Sequence, residues 1–100
     1  MKFSIALLGF ICLIACNQDS STKQKVITGA QIYRLRCQTC HGGDGRLGLN
    51  GARSLPESVL NIEERIKVIT EGRNGIMPAF GEMISKEQIQ KVAEYSMLLK

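Results

Sequence analysis

The sequence predicts a small helical domain, and three observations carry the prediction. Apolar residues recur at helical spacing in three separate segments, and two of these open on side chains suited to capping a helix start. No strand–helix–strand alternation is visible around them. The chain has 100 residues, which allows one small domain.

The amino terminus reads as a targeting segment. Lys2 precedes an apolar run over residues 5–15 that is too short to span a bilayer as a helix and suits the core of a secretory signal. The run ends in Leu13-Ile14-Ala15-Cys16, which is similar to a bacterial lipobox, where the chain is cut before a cysteine that carries lipid. An ordinary signal cleavage after Ala15 would place bulky Leu13 where a small residue is wanted. An uncleaved anchor is the third reading. The resulting organisation is a lipoprotein-type signal over 1–15, a lipidated terminus and flexible tether over 16–27, and a folded domain over 28–100. The tether is polar throughout residues 17–25 and, stretched, reaches roughly 30 Å. A merely disordered terminus is the plainer alternative.

Thr28 is suited to cap the first helix, and Gly29, Ala30, Tyr33 and Cys37 fall close to one helical face. Glycine weakens a helix, so Gly29 points to a close crossing with another element. Arg34 and Arg36 are expected to face water. The face runs into Cys37-Gln38-Thr39-Cys40-His41, the spacing of c-type haem attachment. In a helix the two thiols lie a turn apart on one face, so each can add to one vinyl group of a haem. His41 then stands beside the ring as proximal iron ligand. A chance match in a chain this long is rarer than about one in a thousand, so the signal is specific.

Three other readings compete. A thioredoxin-like redox pair wants a preceding strand and a βαβ pattern. A structural zinc site wants four ligands, and the chain has 1 histidine. A plain disulfide across the pair needs no histidine. Of the 4 cysteines, Cys12 leaves with the signal and Cys16 takes lipid, so Cys37 and Cys40 are left for haem.

After His41 the chain is rich in glycine. A phosphate-binding loop would need Lys and Ser or Thr after its last glycine, and these are absent. The glycines read instead as a tight loop around one haem edge, with Asp44-Gly45 as a turn. Arg46 and Arg53 are candidates to meet haem propionates, and Leu47, Leu49 and Leu55 to cover the ring. Pro56 and Ser58 open the next segment, where Val59, Ile62, Ile66 and Ile69 form a helical stripe that reads as core. Glu63 and Lys67 pair across a turn, and Gly72 stops the helix.

The second informative stretch is Arg73-Asn74-Gly75-Ile76-Met77-Pro78-Ala79-Phe80. Pro78 biases Met77 to extended backbone, in a loop where its thioether can point inward as sixth iron ligand. Such a soft ligand raises the reduction potential relative to a second histidine. Core packing is the competing role for Met77, and it is the role expected of Met83 and Met97. The last helix starts at Ser85, which with Gln88 forms a capping box. Ile89, Val92, Ala93, Ser96 and Leu99 share its inner face. Tyr95 is placed to pack on the first helix near Gly29 and Tyr33.

Taken together these residues resemble a class I monohaem cytochrome c of the small bacterial kind, made as a lipoprotein. The resemblance rests on Gly29 and Tyr33 before Cys37-x-x-Cys40-His41-Gly42, on Asp44-Gly45-x-x-Gly48, on Gly75-x-Met77-Pro78-x-Phe80 and on Val92-Ala93-x-Tyr95. It implies an all-α small cytochrome c fold of three to five helices around one covalently bound haem c. It also implies a crossing of the terminal helices near Gly29, Tyr33, Val92 and Tyr95, ligation by His41 and Met77, and single-electron transfer. Members commonly carry a proline whose carbonyl accepts a hydrogen bond from the proximal histidine. Here that position is Arg53, whose carbonyl is still able to accept.

The expected function is therefore single-electron transfer by a membrane-tethered carrier and not an enzyme of its own. The alternative is a haem c subunit of a larger respiratory or dehydrogenase complex. A gas sensor or peroxidase needs an open iron site, which the Met77 loop argues against. The expected partners are a redox donor and acceptor of the respiratory kind, with a lipid anchor holding the chain to a bacterial membrane facing the periplasm or cell exterior. The formal charge of +4 includes Lys2 of the signal, and two propionates would leave about +1. That is too little for nucleic-acid binding. A mild basic face would suit an acidic redox partner, and a scattered solvated surface is the alternative. A chain this short is marginal by its own apolar core, and a covalently held haem would supply the apolar centre it lacks.

Overall fold

The computed structural model describes residues 27–100. The expected signal segment, Cys16 and the expected tether as far as residue 26 lie outside the described residues. Four α-helices follow in order: α1 (Gly29–Arg36), α2 (Gln38–His41), α3 (Ile62–Glu71) and α4 (Lys86–Ser96), with a 3-10 turn at Leu49–Gly51 between α2 and α3. Among the described residues there is no strand beyond one isolated bridge between Arg73 and Met77, and no helix is long and apolar enough to cross a membrane.

The three longer helices begin on the same device. At α1 the Thr28 hydroxyl accepts from the Gln31 amide at 3.2 Å while the Gln31 side chain accepts from the Thr28 amide at 2.9 Å. Asn61 with Glu64 does the same for α3, both bonds at 2.9 Å, and Ser85 with Gln88 for α4 at 2.9 and 3.1 Å. Each cap satisfies amides that have no partner inside the helix and contributes about 1 kcal/mol. The α3 start corrects the expectation that the segment opens at Pro56 and Ser58. Val59 lies before the helix and is 95% exposed, so it is not part of the apolar stripe. Gly72, at φ 74°, ends α3 as expected. A Cβ there would meet the Met77 carbonyl oxygen at 2.6 Å.

α1 and α3 both pack on α4. The core is Ile32, Tyr33, Ile69, Phe80, Ile89, Val92 and Ala93. Met83 and Met97 are exposed and do not fill the core as expected. Leu99 lies past the end of α4 yet still packs against the core.

The α1–α4 crossing is as close as Gly29 implied. A Cβ on Gly29 would collide with the Lys91 carbonyl and come within 2.9 Å of the Tyr95 Cβ. The Tyr33 and Tyr95 rings meet with centroids 5.2 Å apart at 52°, within the range of favourable aromatic pairs. The Tyr33 hydroxyl donates to the Gly42 carbonyl at 2.6 Å, tying the crossing to the residue that ends α2. Burial first, then the neighbouring Cys37, Tyr95 and Asp44, push the Tyr33 phenol up to about 12.

Gly29→Ala is expected to lower stability by about 1–3 kcal/mol, the cost of overpacking. This exceeds the helix-propensity gain of about 1 kcal/mol or less. A thermal midpoint equal to or above the parent's would contradict the close crossing. The Tyr33 shift has a pH signature. Its folded pKa lies above the unfolded value, so its contribution is complete below pH 10 and is lost as the pH rises towards 12. Tyr33→Phe is expected to cost about 1 kcal/mol at neutral pH and to flatten the fall in stability over that alkaline range. Denaturant titrations of the holoprotein at a series of pH values check both.

Candidate functional site

One wall of the site grows out of α1. Cys37 ends α1 and opens α2, with φ −115° and ψ −35°. Its carbonyl accepts from the Cys40 and His41 amides at 3.3 and 3.0 Å. The α2 turn therefore places the two cysteines and the histidine on one short segment, a turn apart as the spacing required. Gly42, at φ 80°, ends the turn. The Gly42–Gly45 turn follows, with the Asp44 side chain accepting from the Arg46 amide at 2.9 Å. The Leu47 amide then donates to the His41 carbonyl at 2.9 Å and the Leu55 amide to the Gly45 carbonyl at 2.9 Å, closing the loop against the motif.

This loop orients the histidine. His41 Nδ1 lies 3.0 Å from the Arg53 carbonyl oxygen. A carbonyl only accepts, so Nδ1 must carry a proton, and in the neutral ring the lone pair is then on Nε2. Arg53 thus supplies the acceptor by its backbone, as the sequence reading allowed.

The facing wall is the loop after α3. The Arg73 amide donates to the Met77 carbonyl at 3.0 Å, and the Met77 amide returns a bond to the Arg73 carbonyl at 3.1 Å. Between them Asn74 and Gly75 have φ 52° and 66°, the positive values that a tight two-residue turn demands. Past Pro78, the Phe80 amide donates to the Ile69 carbonyl at 2.9 Å and the Gly81 amide to the Thr70 carbonyl at 3.1 Å. Met77 is therefore clamped on both sides by backbone bonds.

Between the walls runs a cleft that encloses about 1140 Å³ with its open mouth included. Cys37, Cys40, His41 and Met77 all line it. Ile69, Phe80 and Val92 form part of its apolar lining, and Leu49 and Leu55 border it. Its charged lining is arginine alone: Arg36, Arg53, Arg65 and Arg73. Burial first, and then the adjacent Cys40, push the Cys37 thiol up to about 11. A redox-active thiol pair needs the opposite shift, so this environment disfavours the thioredoxin-like reading. Two free thiols, an imidazole with a free Nε2 and a thioether facing an apolar cleft are a donor set that fits a covalently held haem.

Two expected contacts are not found. Arg46 does not line the cleft; it pairs at the surface with Glu57 at 3.5 Å. Leu47 points away from the cleft and is 59% exposed, because its backbone is drawn to His41 and its Cβ packs against Gly42. Two features went unread in the sequence. Arg65 is buried at the cleft. Its position was legible, since it stands three residues after Ile62 and four before Ile69, inside the apolar stripe. The Asn74-Gly75 dipeptide is also the strongest short-range signal for a tight turn.

Comparison with known proteins agrees with the geometry. A family profile described as cytochrome C oxidase, cbb3-type, subunit III matches residues 24–95. Cytochrome c6 of Aphanizomenon flos-aquae is 36% identical over 75 residues, covering 69% of this chain and 84% of that protein. The cbb3-type cytochrome c oxidase subunit FixP of Azorhizobium caulinodans is 32% identical over 72 residues, covering 67% of this chain and 25% of that protein. Among solved structures, the c-type cytochrome KustC0563 superposes with a TM-score of 0.65 at 30% identity, covering 74% of this chain and 99% of that one. Cytochrome c6 of the diatom Phaeodactylum tricornutum gives 0.54 at 31% identity, covering 68% and 85%. With its all-α fold, its cysteine–histidine segment and these relatives, the chain belongs to the small monohaem class I cytochromes c, electron-transfer proteins that bind one covalent haem c.

Proposed function

We propose that this cytochrome is a membrane-tethered single-electron carrier whose haem is held through Cys37 and Cys40 and ligated by His41 and Met77. The observation that carries the reading is the convergence of these four side chains on one cleft from segments far apart in sequence. When bound, the haem supplies an iron couple that takes up and gives back one electron. The chain's own residues do the rest. The thiols anchor the ring edge and the Arg53 carbonyl holds the His41 ring in one tautomer and orientation. The clamped 73–81 loop presents the Met77 thioether, and the apolar lining excludes water. His41 and Met77 would together hold the iron and leave no site on it for a substrate.

Tethering rests on the sequence: the apolar run ending at Cys16 and the polar stretch after it. On this reading the protein is exported, lipidated at Cys16 and held at a bacterial membrane facing the periplasm or cell exterior. There it passes electrons between redox proteins of the respiratory kind. A second reading, a haem c subunit of a larger respiratory or dehydrogenase complex, is favoured by the profile match to an oxidase subunit.

The reduced wild-type holoprotein is expected to give a visible spectrum that carbon monoxide leaves unchanged. Met77→Ala is expected to lower the midpoint potential and to bind carbon monoxide. A carbon monoxide shift in the wild type, or an unchanged potential in the variant, removes Met77 from the ligand role. For the tether, the wild type is expected in the detergent phase of a phase-partition assay and Cys16→Ala in the aqueous phase. Equal partition of the two sinks the lipid anchor. Sizing the same membranes in mild detergent separates the two readings: a lone small cytochrome supports the carrier, and co-migration with an oxidase or dehydrogenase supports the subunit.

A further inference from the structure

Arg65 is 7% exposed, on the inner face of α3 and at the cleft. All of its guanidinium contacts are to neutral oxygens. Nε donates to the Leu60 carbonyl at 3.3 Å, Nη1 to the Ser96 carbonyl and hydroxyl at 3.1 Å each, and Nη2 to the Leu55 and Ser58 carbonyls at 3.2 and 3.4 Å. The five donors of the group are therefore spent on two segments: the 55–60 loop and the end of α4. None of these bonds neutralises its charge. Among the described residues the one ion pair is Arg46–Glu57 at the surface, and no protein carboxylate lines the cleft; the two propionates that a haem brings would find every Arg65 donor already taken.

A buried charge is costly unless it is paired, so a guanidinium with no protein carboxylate beside it calls for a reason. A packing role alone does not supply one, because an apolar side chain of similar length would fill the stripe between Ile62 and Ile69 without the desolvation cost. The remaining neighbour is the cleft itself. A fixed positive charge beside a redox centre opposes the state with one more positive charge, and so favours the reduced form. A low-dielectric wall makes that influence stronger than the same charge would have in water.

We infer that Arg65 is a positioning residue that sets the reduction potential of the haem site upward, using a charge that the carbonyl cage holds in place without cancelling. This rests on the haem-carrier reading above. It also assigns the cage a purpose: carbonyl oxygens satisfy the donors yet leave the full unit charge in force, which a carboxylate would not.

The test is spectroelectrochemical titration of the holoprotein with three substitutions. Arg65→Met removes the charge and keeps an apolar stem. Arg65→Lys keeps the charge and loses most of the fan of bonds. Ser96→Asp leaves Arg65 and its clamp but sets a carboxylate where the hydroxyl lies 3.1 Å from Nη1, with Ser96→Asn as its neutral control. Arg65→Met and Ser96→Asp are each expected to lower the ratio of reduced to oxidised protein at a given potential. The size is on the order of tenfold by Coulomb's law, or 59 mV for one electron. Arg65→Lys and Ser96→Asn are expected to stay near the wild type, although Arg65→Lys melts earlier. An unmoved potential in both Arg65→Met and Ser96→Asp overturns the inference and leaves Arg65 a structural clamp. So does a drop in Arg65→Lys as large as in Arg65→Met. Should Arg65→Met fail to load haem, the Ser96 pair decides alone. A wild-type chain that loads no haem sinks the carrier reading itself, which is a different outcome from loaded variants of equal potential.

Discussion

The depth to which α1 can settle on α4 governs the motif side of the cleft. Cys37 is the residue at which α1 passes into α2, so any displacement of α1 is carried directly to both thiols and to His41. Gly29 removes the one side chain that would hold the helices apart, and the Tyr33–Tyr95 contact fills the space beyond it. Tyr33 then reaches from the crossing to the Gly42 carbonyl, so the packing of two helices and the end of the binding segment are one connected arrangement.

The two walls are built by different physics. The motif wall depends on contacts between the ends of the domain, α1 against α4. The Met77 wall is local: a turn of four residues and two clips back to the end of α3. Their meeting is secured by the shared core, since Ile69 and Phe80 from the second wall pack in one cluster with Ile32, Tyr33 and Val92 from the first. A single small core is enough because each wall arrives already shaped.

What the sequence disclosed follows the same division. Periodicity and caps located α1 and α4, and the cysteine–histidine spacing and the Met77-Pro78 pair located the groups that meet in the cleft. Local chemistry of this kind is written in adjacent residues and can be read from them. The misreadings concern residues whose fate is decided by distant partners. Val59 carries an apolar side chain but precedes the Asn61 cap, so it never enters the helix. Arg46 and Leu47 follow His41 closely, yet the bond from the Leu47 amide to the His41 carbonyl turns both outward. Met83 and Met97 are apolar by composition, and only the packing shows that about half of each residue is left exposed. The burial of Arg65 depends on carbonyls contributed by Leu55, Ser58, Leu60 and Ser96, a set that no local pattern announces.

The backbone clamp on the 73–81 loop has a bearing on how fast charge can move. Met77 is held by bonds between main-chain atoms and by the steric closeness of Gly72 to the Met77 carbonyl, none of which involves the metal. If Met77 is the iron ligand proposed above, its arm would stand ready before the haem is bound and would need no rearrangement when an electron arrives or departs. On that reading little nuclear motion would accompany each transfer, and the activation barrier would stay low in both directions. The same rigidity would keep the oxidised and reduced proteins nearly one shape, so that a donor and an acceptor could recognise the same surface in turn.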